Sequence, residues 1–127
     1  MGIVRKIKPF FTDERGSLSH LLEDEKGITS AVLIVCNKGA VRANHYHKKD
    51  THHSYMLKGK MEYYYKDLRD KKAKLQKIIV KEGEIVTTPP NTLHAMKFLE
   101  NSVFIALTTE SRKQEEYEAD TVRVKVV

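Results

Sequence analysis

Short strand-like segments follow one another along nearly the whole chain: Ile3 to Lys8, Ser17 to Leu22, Thr29 to Cys36, Val41 to His47 and His52 to Lys58. The series continues through Lys60 to Lys66, Lys74 to Lys81, Glu84 to Thr87, Leu93 to Phe98, Ser102 to Thr108 and Thr121 to Val126. Turn signals such as Asp13-Glu14-Arg15-Gly16, Asn37-Lys38-Gly39, Lys58-Gly59, Glu82-Gly83 and Glu100-Asn101 separate them. Glycine, asparagine and aspartate supply the tight backbone that such turns need. Segments this short and this regularly spaced predict an antiparallel sandwich or barrel. A helix is hard to place except over Arg112 to Glu118, whose polar, acidic makeup predicts a short exposed turn or two. No linker, repeat or low-complexity stretch divides the 127 residues, so one domain is expected over residues 1–127.

Segments such as Lys77-Ile78-Ile79-Val80-Lys81 and Val122-Arg123-Val124-Lys125-Val126 alternate like a half-buried sheet. The second would lie at a sheet edge or pair with another subunit; since exposed edges are often closed by a second copy, a homodimer is expected. The single cysteine, Cys36, follows the apolar run Ala31-Val32-Leu33-Ile34-Val35 and reads as a small buried hydrophobe. No intrachain disulfide is possible, and Met1 to Lys6 lack the apolar stretch of a signal peptide or membrane span. The expected setting is the cytoplasm, away from membranes. Lysine and arginine number 23 against 17 aspartate and glutamate, a net charge of +6. Lysines mostly keep a surface solvated, and the six arginines are not clustered, which argues against a nucleic-acid module. A small anionic ligand is the more economical partner.

Four of the six histidines fall into two frames, Gly39-x5-His45-x-His47-x4-His52-x6-Gly59 and Gly83-x5-Pro89-x4-His94. Alternate residues of a strand share a face, so His45 and His47 would stand side by side at roughly 7 Å. His47 and His52 would face opposite ways on one continuous strand, but Lys48-Lys49-Asp50-Thr51 is polar enough to be a turn that resets the alternation. His52, Ser54 and Met56 can then face inward, with Tyr55 and His53 outward and His53 at the surface. Four imidazoles without a carboxylate suit a divalent transition ion: Zn, Fe(II), Ni or Cu. The alternatives for the same side chains are acid–base work or packing. Nothing connects His20, between Ser19 and Leu21, with the others.

Together the frames resemble the paired motifs of the cupin superfamily, Gly-x5-His-x-His-x3-4-Glu-x6-Gly and Gly-x5-Pro-x-Gly-x2-His-x3-Asn. Gly39, His45, His47 and Gly59 match the first, and Gly83, Pro89 and His94 the second. His52 stands where glutamate is usual, Asn91 where glycine is usual and Phe98 where asparagine is usual. Asparagine also tolerates a left-handed turn, so Asn91 is a mild departure. The resemblance implies an all-β, double-stranded β-helix barrel, the jelly roll. Two further segments, Phe11-Thr12-Asp13-Glu14-Arg15-Gly16-Ser17-Leu18 and Val41-Arg42-Ala43-Asn44-His45, look like the Asp-x-Arg-Gly and Arg-Gly-x-His segments of bacterial nucleotide-sugar cupins. These are the thymidine-diphosphate 4-keto-sugar 3,5-epimerases, the 3,4-ketoisomerases and the cupin domain of capsular-polysaccharide UDP-sugar reductases.

Carried onto this chain, the resemblance implies His45 as catalytic base with His47 assisting, and Arg15 and Arg42 on the diphosphate of the substrate. It also implies a tyrosine acid on the opposite face of the ring, Tyr63 or Tyr65, with Tyr55 a further option. The chemistry fits: a histidine can remove a proton next to a ketone, and guanidinium groups grip phosphate oxygens in pairs. Ala43 replaces the glycine of the epimerase segment, and no aspartate partner for His45 is evident. Plainer roles stand beside these, since a tyrosine triplet often packs a sheet and Asp13 to Gly16 can be a hairpin turn with an exposed ion pair. The implied function is a sugar-nucleotide isomerase or epimerase acting on a 4-keto hexose nucleotide in surface polysaccharide synthesis, with no organic cofactor. The alternatives are a metal-dependent cupin, a dioxygenase or small-molecule isomerase with His45, His47, His52 and His94 around Fe, Ni or Zn, and a non-catalytic ligand-binding barrel.

Overall fold

The alternation read from the sequence is realised as two antiparallel five-stranded sheets that face each other. The computed structural model describes residues 3–23 and 27–127; Met1 and Gly2, the start of the segment without a targeting pattern, lie outside the described residues. In chain order the strands are β1 (Val4–Lys6), β2 (Phe11–Asp13), β3 (Gly16–Leu18), β4 (Ser30–Cys36), β5 (Val41–His47), β6 (His52–Lys58) and β7 (Lys60–Asp67). There follow β8 (Gln76–Lys81), β9 (Glu84–Thr88), β10 (Thr92–Phe98), β11 (Ser102–Thr108), the helix α1 (Gln114–Asp120) and β12 (Thr121–Arg123). One sheet has the order β1-β9-β6-β11-β4 and the other β12-β5-β10-β7-β8, while β2 and β3 form a separate hairpin. From β4 to β7 the chain crosses from one sheet to the other at each step, and β8 to β11 do the same. This is a jelly-roll barrel, the architecture that the resemblance implied.

Between the sheets lie Met56, Met61, Tyr63, Val80, Val86, Met96, Phe98, Phe104 and Ala106, with Cys36 at the rim of the cluster. Period-two burial puts them there: along β11, Ser102, Phe104, Ala106 and Thr108 are buried while Val103, Ile105 and Leu107 are only partly so. Phe98, where the cupin pattern has asparagine, stacks on Phe104 with ring centroids 5.7 Å apart. An apolar ring there contributes on the order of 1.5–3 kcal/mol of burial that asparagine would not. Gly59 turns β6 into β7 at φ 93°, and a Cβ on it would lie 2.8 Å from Asn101 O and collide with Ser102, so glycine is required.

Several boundaries differ from expectation. Phe11–Asp13 is a strand, the expected Ser17–Leu22 stops at Leu18, and the terminal strand ends at Arg123. That strand is paired with β5 (Thr121↔His47, Arg123↔His45), and the tail beyond it is held by Asn44, whose Oδ1 accepts from the backbone of Val126 and Val127 at 2.8 and 3.0 Å. The short helix is not a detached surface turn, because Asp120 at its end is buried and caps the 48–50 turn. No helix among the described residues is long and apolar enough to cross a membrane.

Candidate functional site

Three strands bring four imidazoles to one place: His45 and His47 from β5, His52 from β6 and His94 from β10, all buried. Their ring centroids lie 4.5 Å (His45–His47), 4.8 Å (His45–His94), 5.0 Å (His52–His94) and 5.6 Å (His47–His52) apart. His94 pairs directly with His45 across the β10/β5 ladder, and the ladder then slips, so that Ala95 faces Ala43. A bulge at Ala43 and Asn44, both left-handed at φ 70° and 55°, absorbs the slip. Such a bulge re-aims the side chains beside it, here His45. Ala43 therefore occupies the position at which the Arg-Gly-x-His segment has glycine for a conformational reason. Asn91, at φ 58°, makes the left-handed turn expected of it before β10.

The hydrogen bonds around the rings fix three of the four tautomers. His94 Nδ1–H donates to Thr92 O at 2.9 Å, and His52 Nδ1–H to Asp50 Oδ2 at 2.9 Å. Thr121 Oγ1 donates its one proton to Tyr117 O at 2.6 Å, so it accepts from His47 Nδ1–H at 3.2 Å. In the neutral rings of His47 and His94 this leaves Nε2 as a bare lone pair, and that of His47 is buried without a protein partner. His45 differs: its buried Nδ1 has no partner and no neighbouring acceptor orients it.

Burial is the main reason His45, His47 and His94 are neutral. Desolvation, followed by the neighbouring His52, lowers His45 to about 4, and desolvation followed by His45 and His52 lowers His47 to about 3. His94, fully enclosed, lies well below the ordinary imidazole value for the same reason. Burial would raise Asp50, but its bond and charge pairing with His52, Arg112 and the Glu110 backbone hold the carboxyl far below the usual range. Asp50 accepts from Thr109 N (3.2 Å), Glu110 N (3.1 Å) and Arg112 Nη2 (3.1 Å) as well as from His52.

The rings open onto a cavity of about 340 Å³. Its apolar wall comes from Val32, Ile34, Met96, Phe104 and Ala106, and its rim from Arg42, Arg112, Gln114 and Tyr117. Arg42, on β5, reaches the β4 edge, where it donates from Nε to Cys36 Sγ at 3.0 Å. Tyr117, on α1, faces His45 and His47, with ring centroids 6.3 Å and 5.5 Å away, and Arg112 lies 4.9 Å over its ring.

The residues singled out from sequence separate into those at the cavity and those away from it. His45, His47, His52, His94 and Arg42 border it. Arg15 does not: it sits on the β2–β3 hairpin, exposed, paired with Asp13 at 2.6 Å. Tyr63 is sealed behind His94, its ring stacked at 6.1 Å and its hydroxyl bonded to Thr88, and burial raises its pKa. Tyr65 shares the inner face of β7 with Tyr63, its ring stacked on that of Tyr63 at 5.7 Å and packed against the core, and its hydroxyl donates to Gln76 Oε1 at 3.4 Å. The alternation of β7 sends both into packing, and the tyrosine at the cavity is Tyr117, hidden from a sequence reading by its acidic surroundings. Tyr55 points outward on β6 as expected, whereas His53 is buried rather than exposed, with Nδ1 bonded to Thr87 Oγ1 at 2.8 Å. Asp50 was legible only as a polar turn; the signal that could have found it is its Asp-x-His spacing to His52.

The sequence profile of the polysaccharide biosynthesis C-terminal domain matches residues 11–122. The chain belongs to that family. No curated protein matches its sequence at a significant level. Among solved structures it is similar to QdtA, a sugar 3,4-ketoisomerase from Thermoanaerobacterium thermosaccharolyticum in complex with TDP, at 23% identity over 94% of this chain and 85% of that one, TM-score 0.72. It is also similar to the dTDP-4-dehydrorhamnose 3,5-epimerase of Sulfolobus tokodaii, at 19% identity over 93% and 73% of the two chains, TM-score 0.73. A third likeness is to CapF, a capsular polysaccharide assembling protein of Staphylococcus aureus, at 18% identity over 94% of this chain and 34% of that one, TM-score 0.68. At these identities the likeness is one of fold.

Proposed function

We propose that this member of the polysaccharide biosynthesis C-terminal domain family is a sugar-nucleotide isomerase or epimerase that moves a proton beside the ketone of a 4-keto hexose nucleotide. The observation that carries the reading is the meeting of an unoriented, neutral imidazole, His45, and a tyrosine, Tyr117, in one cavity rimmed by two guanidinium groups. With its pKa lowered to about 4, His45 holds a free lone pair throughout the neutral range. It takes the proton from the carbon next to the carbonyl; the C–H electron pair becomes the enolate, with its charge on the carbonyl oxygen. Reprotonation from Tyr117 on the opposite side of the ring inverts that carbon; for ketone relocation the hydroxyl proton on that carbon passes to the former carbonyl oxygen, and an imidazole then returns the abstracted proton to the former carbonyl carbon, leaving the ketone on its neighbour. Arg42 and Arg112 lie where the diphosphate would leave the cavity, and the apolar wall of Val32, Ile34 and Phe104 keeps water from the enolate. The ketoisomerase and epimerase likenesses support this choice among cupin chemistries.

A metal-dependent reading has its own support. Ring nitrogens of His45, His47 and His94 fall within 4.8 Å of one another, in neutral form, with the orphaned His45 Nδ1 and His47 Nε2 among the site's buried atoms. This donor set fits Zn, Fe or Ni. Such an ion would act as a Lewis acid on a ligand oxygen. Coordination would occupy His45, so the two readings exclude each other there. Incubation with 4-keto sugar nucleotides in deuterated water separates them: wild-type protein free of metal should exchange deuterium into the sugar and His45→Ala should not. Absence of exchange with every such substrate, together with near-stoichiometric metal lost in His94→Ala, would replace the proton-transfer reading by the metal one.

We also place the protein in the cytoplasm as a homodimer. Leu33 and Val35, each 63% exposed on the outer face of the edge strand β4, and the neighbouring Val103 and Ile105 give an apolar face suited to a second copy. Light scattering at micromolar concentration should return twice the chain mass.

A further inference from the structure

The buried hydroxyl of Ser54 has no use in the chemistry above. It is completely buried, it borders the cavity, and its Oγ has no hydrogen-bond partner. Other buried hydroxyls near the histidines are satisfied, Thr88 by Tyr63 and Thr108 by Glu110 O at 2.8 Å. An unsatisfied buried hydroxyl costs about 1–3 kcal/mol, so such groups are retained where a ligand atom completes them.

The position of Ser54 says which ligand atom that is. Ladder pairs Val32↔Ala106 and Ala106↔Ser54 set these residues in a row across the inner face of one sheet, starting at the open edge on β4. With strands about 4.8 Å apart, Ser54 lies roughly 10 Å inward from that edge. The row is apolar until Ser54, which is its only polar member. The cation Arg42 borders the same cavity and binds the β4 edge at Cys36 Sγ and Val35 O, three to four residues further along that edge strand than Val32. A pyranose whose anomeric phosphate stays at the arginine rim would point the carbon across the ring, C4, at the inner end.

We propose that Ser54 is a specificity-determining residue whose hydroxyl binds the C4 oxygen of the nucleotide-linked hexose, an inference that rests on the sugar-nucleotide reading. For a C4 ketone the serine donates, O–H to carbonyl oxygen, and for a C4 alcohol it can donate or accept. Val32 and Ala106 meet the C–H face of the ring.

The test is calorimetric titration of UDP-glucose and dTDP-glucose, each beside its 4-deoxy counterpart, into wild-type protein and Ser54→Ala. Wild type should prefer the 4-oxygenated ligand about tenfold, the size of one hydrogen bond, and Ser54→Ala should bind the two alike. Removing an unpartnered hydroxyl should leave the melting temperature of the ligand-free protein unchanged or raise it. Binding of both sugars without preference in wild type, a preference that survives in Ser54→Ala, or a fall in ligand-free melting temperature would each overturn the role of Ser54 while leaving the sugar-nucleotide reading standing. Failure of wild type to bind either nucleotide sugar would remove both.

Discussion

Asp50 and His52 are joined across two residues by a 2.9 Å bond from the imidazole Nδ1–H to a fully buried carboxylate. The same carboxylate accepts Arg112, from the segment leading into α1, at 3.1 Å. One side chain thus orients a cluster histidine and ties the rim of the cavity to its floor. An aspartate–histidine bond of this kind fixes both ring orientation and tautomer.

Asp50→Asn keeps the volume and removes the charge. It leaves Arg112 without its counter-ion and gives His52 a weaker acceptor at a buried position. Urea denaturation should show a loss of about 3–5 kcal/mol, the range for breaking a buried ion pair. A loss below about 1 kcal/mol would mean that the turn does not depend on this carboxylate.

Tyr117 and Tyr63 should separate activity from stability. If Tyr117 is the acid, Tyr117→Phe lowers kcat of the epimerising reaction by about 10²–10⁴-fold while KM changes little. Tyr63→Phe removes a bond to Thr88 in the core and should cost about 1–3 kcal/mol in stability, with kcat within a few-fold of wild type. The reverse pattern would return the acid role to Tyr63.

Acid should loosen the barrel in a defined window. His45 and His47 titrate near 6.5 when unfolded and at about 4 and about 3 when folded. Between those limits the unfolded chain binds more protons, so stability is complete above about pH 6.5 and falls as pH drops toward 4. Thermal melts of chelator-treated protein should show this decline, and replacing both histidines by glutamine should make it shallower, with His94 contributing the remainder. A melting temperature that holds constant from pH 7 to 4.5 would contradict the neutral, buried state of His45 and His47.

Strand-by-strand reading worked where burial is periodic. Val41–His47, His52–Lys58 and Ser102–Thr108 are strands with the bounds expected of them, because one face of each meets the core and the other does not. The polar turn between His47 and His52 did reset the alternation and bring both rings inward. The same local logic failed for the tyrosine triplet, because period two tells which residues share a face but not which lie beneath His94 and which at a cavity. It failed for His53 as well, which alternates outward yet is buried.

The sequence by itself determined the sheets, the left-handed turns at Asn91 and Gly59, and the histidine pair on β5, since these depend on neighbours within a few residues. Only the tertiary structure decided the bulge at Ala43, the placing of Tyr117 over the rings, and the link from Asp50 to Arg112 across 62 residues. Contacts of that separation arise from how two sheets and a helix close on each other, and no local periodicity carries that information.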